Sequence, residues 1–413
     1  MKRNRLLTLS IGLLALLQSV SLAVWADDAW WTGIGPDTDK TYSLVVDPSN
    51  PATLYAGTDK GVYKSVNGGD IWTPVNTGLA GDAIKILAID PSNPAILYAS
   101  HGDNYVYKTV DNGGTWKRIA LLGGAAGILT LVIDPSNPAT LYAGASYGPL
   151  FKSTNGGEKF SLASTGFLSP TVSSLVVDPS NPAILYAGTP NNGIYKSIDG
   201  GGHWSPANTG LPGIFSLSAL VIDPSNPATL YAGTDDVGEV FKSVNGGGNW
   251  NPAPTGIRNT SQIKSLIIDP ANPATLYAGT NDRGVYKSAN GGGSWIPTNG
   301  GLPATAVSAL AIDPSSNPAR LYAVSGGKVY KGTGVSSASE CLFNWAELKY
   351  DYYFAPAFAR TTTWSVYTYR YYSHTYAYLG VSSTDNHVYY IGPDGVLQDE
   401  GPMADWLLLA GCQ

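Results

Sequence analysis

The stretch Asp47-Pro48-Ser49-Asn50-Pro51-Ala52-Thr53-Leu54-Tyr55-Ala56-Gly57 decides how this chain folds, because the chain writes it seven times. Copies or near copies begin at Asp47, Asp90, Asp134, Asp178, Asp223, Asp269 and Asp313, a period of 43 to 46 residues. The aspartate can accept bonds from backbone amides two residues on, and the prolines fix φ and withhold a donor, so the start of the string reads as a tight turn. An apolar run precedes it, such as Leu44-Val45-Val46 or Leu266-Ile267-Ile268. A continuous run of that kind suits a strand buried on both faces. After the turn come Leu-Tyr-Ala-Gly, a segment like Gly61-Val62-Tyr63-Lys64-Ser65, a glycine-rich turn and a last strand led by an aromatic. Four short strands per period is the pattern of a propeller blade, so the sequence predicts an all-β, seven-bladed β-propeller. The glycine and proline density, and the lack of a 3.6-residue apolar stripe, exclude helices from the repeats.

The glycine-rich turn recurs six times. It reads SVNGGDIW from Ser65, TVDNGGTW from Thr109, STNGGEKF from Ser153, SIDGGGHW from Ser197, SVNGGGNW from Ser243 and SANGGGSW from Ser288. This string resembles the Asp-box, or bacterial neuraminidase repeat. Gly69, Gly113 and their equivalents are expected at positive φ, which glycine adopts readily. Asn67, Asp111, Asn155, Asp199, Asn245 and Asn290 are expected to cap the turn amides, with the aromatic filling the gap between blades. These residues read as structural, because a catalytic site needs one asymmetric constellation and not six equivalent turns. In families that carry the box it lies away from the ligand face.

The seventh copy ends at Val329-Tyr330-Lys331 with no such box and no aromatic-led fourth strand. A candidate for the missing strand lies at the other end. Thr32-Gly33 precedes Asp47 by nearly the interval at which Thr77-Gly78 precedes Asp90. Residues 27–33 are therefore expected to supply the outer strand of the last blade and close the ring, covering an edge that would otherwise stay open.

The chain opens with Lys2, Arg3 and Arg5, an apolar stretch from Leu6 to Val24 and the exit Val24-Trp25-Ala26. That is the signature of a secretory signal peptide over 1–26, implying a secreted or periplasmic protein with no stable membrane insertion after cleavage. Losing those three cations takes the net charge of −6 to −9, which leaves no electrostatic footprint for nucleic acid. The propeller is expected over 27–333, a Gly/Ser linker over 334–339 and a small α+β module over 340–413. The module holds eleven of the 26 tyrosines and both cysteines, Cys341 and Cys412, which an oxidising compartment would join. Its first segment, Ala338 to Phe354, and its last, Met403 to Ala410, read as helices. Between them lie alternating stretches and a hairpin at Val388 to Gly395. The module resembles a C-terminal module of other secreted bacterial proteins.

If the strands run outward, the aspartate turns and the glycine-rich turns fall on one face, nearly invariant from blade to blade. The turns between second and third strands fall on the other, variable face, with the crossovers between blades. That face carries His101, Asp103, Asn104, Tyr147, Asp235, Asp236, Asp282 and Arg283, with Lys85 and Phe167 on crossovers. Binding functions tend to sit on loops held by a rigid scaffold, so these residues are the candidate ligand site. No phosphate loop, nucleotide fingerprint or Cys/His metal spacing is present, so neither cofactor nor metal is expected, and no catalytic residue is assigned.

The chain is similar to single-propeller photosystem II assembly factors and to secreted proteins with neuraminidase-like repeats. That resemblance implies a non-catalytic, monomeric binding or assembly protein with a protein or glycan ligand. A second reading is a glycoside hydrolase using a carboxylate pair drawn from Asp103, Asp235, Asp236 and Asp282. The resemblance does not favour a sialidase, since Arg118, Arg258, Arg283 and Arg320 do not make its three-arginine clamp. A third reading is adhesion to glycans through the tyrosine-rich module.

Overall fold

A computed structural model describes residues 31–332 together with five strands between 353 and 402. Within the first span it omits residues 80, 82, 102–103, 124–126, 149, 170, 214–215, 236–237, 254–256, 258–261, 304–305 and 317–318. The segment 1–26, the linker 334–339, Cys341, Cys412 and the helix expected over 403–410 lie outside the described residues.

Seven four-stranded antiparallel sheets form the propeller. Blade 1 runs Thr41–Val46, Leu54–Thr58, Gly61–Ser65 and Thr73–Pro74, from the axis outward. The inner strands of blades 2 to 6 are Ile86–Ile89, Gly127–Ile133, Ser174–Val177, Leu217–Ile222 and Ile263–Ile268. Each touches the next, and Val307–Asp313 of blade 7 touches Thr41–Val46 of blade 1, so the ring closes. Second strands such as Leu54–Thr58 and Leu276–Thr280 are buried at every residue. Their glycine admits the neighbouring blade, for a Cβ on Gly57 would stand 2.7 Å from the Ile84 carbonyl oxygen. The outer strands of most blades are only two residues long and begin one residue after the aromatic.

Each of the seven aspartates organises its turn through one oxygen. Asp47 Oδ1 accepts from the Ser49 amide at 2.8 Å, the Ser49 hydroxyl at 2.7 Å and the Asn50 amide at 3.1 Å. In the glycine-rich turn the Ser65 hydroxyl donates to Asn67 Oδ1 and accepts from the Gly69 amide, while Asn67 Oδ1 accepts from the Ile71 amide. The same set recurs with Thr109 and Asp111, and Asp111 also accepts from the Thr115 amide and hydroxyl. These bonds hold the Asp111 carboxyl down at about 2. Gly68 and Gly69 take φ of 72° and 97°.

A clamp then ties the glycine-rich turns of blades 2 to 6 to the preceding blade. The Tyr142 hydroxyl and Lys152 Nζ of blade 3 both donate to the Gly200 carbonyl of blade 4, at 3.1 and 2.7 Å. Tyr186 and Lys196 do the same to Gly246, and Tyr231 and Lys242 to Gly291. Each lysine also lies over its own tyrosine ring, as Lys152 does at 5.3 Å over Tyr142.

Blade 7 closes as the sequence predicts, with shifted bounds. Its sheet is Val307–Asp313, Arg320–Ser325, Lys328–Gly332 and then Trp31–Gly35. Trp31 pairs with Gly332, Thr32 with Lys331 and Gly33 with Tyr330. The closing strand extends to Gly35, past the expected limit at residue 33, and residues 27–30 lie outside the described set.

The chain divides into two compact units, one of which holds Ala29–Gly334. In the other the described residues form a five-stranded antiparallel meander: Tyr353–Arg360, Trp364–Arg370, Tyr376–Ser382, His387–Ile391 and Leu397–Pro402. Ile391 pairs with Leu397 across the expected hairpin. The helix expected to run to Phe354 is corrected at its end, because Tyr353 and Phe354 open a strand. Pro356 falls where the pairing breaks between Phe354 and Phe358, a place where a missing N–H is tolerated. The rest of that helix lies outside the described residues.

Candidate functional site

The variable face is built on seven turns between second and third strands, and those of blades 1, 4 and 6 are fastened from below by an asparagine. Asn76 Oδ1 accepts from the Val62 amide at 2.7 Å, and its Nδ2 donates to the Lys60 carbonyl at 3.0 Å. Asn208 holds Ile194 and Asn192 in the same way, and Asn299 holds Val285 and Arg283. The turn glycine must lie against this amide: a Cβ on Gly61, at φ +101°, would stand 2.4 Å from Asn76 Oδ1. The sequence reading missed these asparagines. The signal was there, since Asn76-Thr77-Gly78 and Asn208-Thr209-Gly210 sit at matching repeat positions.

Several residues of this face have partners within the fold. Asp235 Oδ1 lies 3.1 Å from Lys264 Nζ of the next blade. Asp282 Oδ2 lies 3.9 Å from Arg283 Nε. Asp59 Oδ1 accepts from the Lys40 amide at 3.1 Å. Asn281 exchanges bonds with both the backbone and the side chain of Gln262. His101 is 8% exposed and stacks on Tyr107 with ring centroids 4.8 Å apart, which makes it a packed residue and not a presented one. Asn104 gives its carbonyl to the Leu122 amide at 2.8 Å. Asp103 and Asp236 lie outside the described residues.

Tyr147 differs from all of these. It is 75% exposed and holds φ at 54°, a left-handed conformation that bulky residues rarely adopt. Blade 7 places Gly326 and Gly327 in the corresponding turn, and blade 4 places Asn191, residues for which that conformation is easy. Two more large apolar side chains stand exposed at the same end of blade 3: Leu129 on its inner strand, at 43%, and Leu168 on its outgoing crossover, at 78%. The pairing of Ile128 with Ala145 brings Leu129 to the end of the second strand where Tyr147 follows. The bond from the Val172 amide to the Ala145 carbonyl brings in the crossover that carries Leu168. Phe167 beneath packs on Tyr195 and Trp204. Among the described residues, every exposed large apolar side chain on the variable face belongs to blade 3 or its crossover.

Ring closure, seven blades and one asymmetric face define a seven-bladed β-propeller. No family model and no curated protein matches the chain. Solved structures match its fold. The GH74 xyloglucanase from Xanthomonas campestris superposes with a TM-score of 0.61 at 20% identity, covering 73% of this chain and 53% of that one. The GH74 enzyme of Niastella koreensis gives 0.61 at 19%, covering 90% and 68%. YCF48 from Cyanidioschyzon merolae gives 0.56 at 14%, covering 73% and 98%, and a YCF48 bound to D1 peptide gives 0.57 at 12%, covering 74% and 97%. The chain thus spans about half of the xyloglucanase and nearly the whole of YCF48.

Proposed function

We propose that this protein is exported by its segment 1–26, that its glycine-rich turns are Asp-boxes serving the fold, and that it is a non-catalytic binding propeller. Its ligand is a segment of a partner protein, taken on the variable face over blade 3. The observation that carries this reading is Tyr147, an aromatic held 75% exposed in a left-handed turn beside Leu129 and Leu168. Exposed apolar side chains gathered at one end of one blade, on a face where several polar side chains are engaged by neighbouring loops, suit a protein partner. The similarity in fold and length to YCF48, one structure of which is bound to D1 peptide, agrees with that choice. Hydrolysis is less favoured because Asp235 is paired with Lys264 of the next blade.

A photo-crosslinking residue placed at Tyr147 tests the reading in the producing cell, with the same residue at Val66 on the opposite face as control. Crosslinks to a discrete protein from position 147 alone support it. Equal crosslinking from both positions, or release of reducing ends from xyloglucan by the purified protein, overturns it.

A further inference from the structure

The inner strand of each blade carries one extra residue at its variable-face end. The pairing skips Tyr42 between Thr41 and Ser43, Leu129 between Ile128 and Thr130, and Ser218 between Leu217 and Ala219. It likewise skips Lys264 and Ser308. In blades 2 and 4 the matching residues are Lys85 and Ser173, whose amides donate to the carbonyls of Ser100 and Gly188. Ser100 and Gly188 also pair with Ile86 and Ser174, so these bulges too set two residues against one. Seven bulge residues therefore stand around the mouth of the axis: Tyr42, Lys85, Leu129, Ser173, Ser218, Lys264 and Ser308. Bulges of this kind re-aim side chains and cluster at functional rims.

The ring splits into two halves. In blades 4 to 6 the bulge side chains are consumed internally. The Ser173 hydroxyl donates to the Leu217 carbonyl of the next blade at 2.6 Å, Ser218 does the same to the Ile263 carbonyl, and Lys264 pairs with Asp235. In the contiguous blades 7, 1, 2 and 3, Ser308, Tyr42, Lys85 and Leu129 make no side-chain bond to any described residue. Lys85 is exposed, and it stands between an aromatic and an aliphatic neighbour. The other cation of the ring, Lys264, is neutralised by a carboxylate supplied by the preceding blade, whereas no carboxylate among the described residues pairs with Lys85. The open half runs directly into the exposed patch of Tyr147 and Leu168.

We infer that the arc Tyr42–Lys85–Leu129 is a recognition track for an extended protein segment that carries an acidic side chain flanked by apolar residues. The carboxylate answers Lys85, and the apolar residues lie on Tyr42 and on Leu129 with Tyr147. This rests on the proposed protein-binding role and narrows the partner to one chemistry.

The test pans a random decapeptide library on the full chain lacking residues 1–26, then measures the enriched peptides against variants. Enrichment of Asp or Glu between apolar residues is expected. Lys85→Glu should weaken those peptides about ten-fold or more, Leu129→Asp similarly, and Lys60→Glu on the same face should leave them within about two-fold. Panning on Lys85→Glu should enrich Lys or Arg at the acidic position. Peptides that need Tyr147 and Leu168 but ignore Lys85→Glu would overturn the track and leave the binding role standing. Failure to enrich any peptide, or equal losses with Lys60→Glu and Lys85→Glu, counts against the track as well.

Discussion

The Trp31 indole N–H donates to the Thr298 carbonyl at 2.7 Å, joining residues 267 positions apart. It is the bond that Trp116 makes to Val75 and Trp250 to Ala207 in ordinary blades. The N-terminal strand thus restores to blade 7 both its fourth strand and the tryptophan its own repeat lacks.

Removing that strand should open the ring. A chain starting at Asp37, or the single change Trp31→Ala, is expected to lose about 3–5 kcal/mol, since Trp31 is 1% exposed. Chemical denaturation with light scattering checks this. A truncated chain that unfolds like the intact one and stays monomeric would contradict the closure.

The buried tyrosines of the second strands make an alkaline prediction. Burial first, and a nearby aspartate second, push the hydroxyls of Tyr98, Tyr142, Tyr186, Tyr231 and Tyr277 up from 10.0 to about 12. In the unfolded chain they ionise near 10, so their contribution is whole below that pH and disappears as pH rises toward 12. Stability should fall steeply across that interval. Removing one hydroxyl, as in Tyr186→Phe, should cost about 1 kcal/mol at neutral pH.

At the acid end, Asp111 is held low by Thr109 and Thr115, so its stabilising bonds persist above its usual range and are lost as pH falls toward 2. Asp111→Ala should speed hydrogen exchange at the Thr115 amide. Asp111→Asn should preserve protection, because Asn67 makes the same amide bond in blade 1.

The loop scaffold makes a fourth prediction. Gly61→Ala meets both an unfavourable φ and Asn76, so a loss of more than about 1 kcal/mol is expected from thermal melting. Asn76→Ala should loosen the same turn, seen as faster exchange at the Val62 amide.

What the sequence made legible was whatever repeats. The aspartate turns, the positive-φ glycines and the borrowed outer strand all follow from aligning copies of one period. Partnerships between blades were not legible. That Asp235 is met by Lys264, or that His101 turns inward onto Tyr107, depends on crossovers that differ from blade to blade. Tyr147 was read as one of eight candidates, and only its exposure and backbone conformation set it apart. Leu129 and Leu168 escaped notice because an apolar residue in a strand or crossover looks like core until its exposure is known. Tyr353 and Phe354 were read as the end of a helix for a related reason: short apolar runs carry no decisive period.

The most direct test of the binding face compares two double variants against the partner captured from position 147. Tyr147→Ala with Leu168→Asp should weaken binding about ten-fold or more, with the fold intact by circular dichroism. Val66→Asp with Val244→Asp, on the opposite face, should leave affinity unchanged. The reverse pattern, or equal losses from both, would contradict the account.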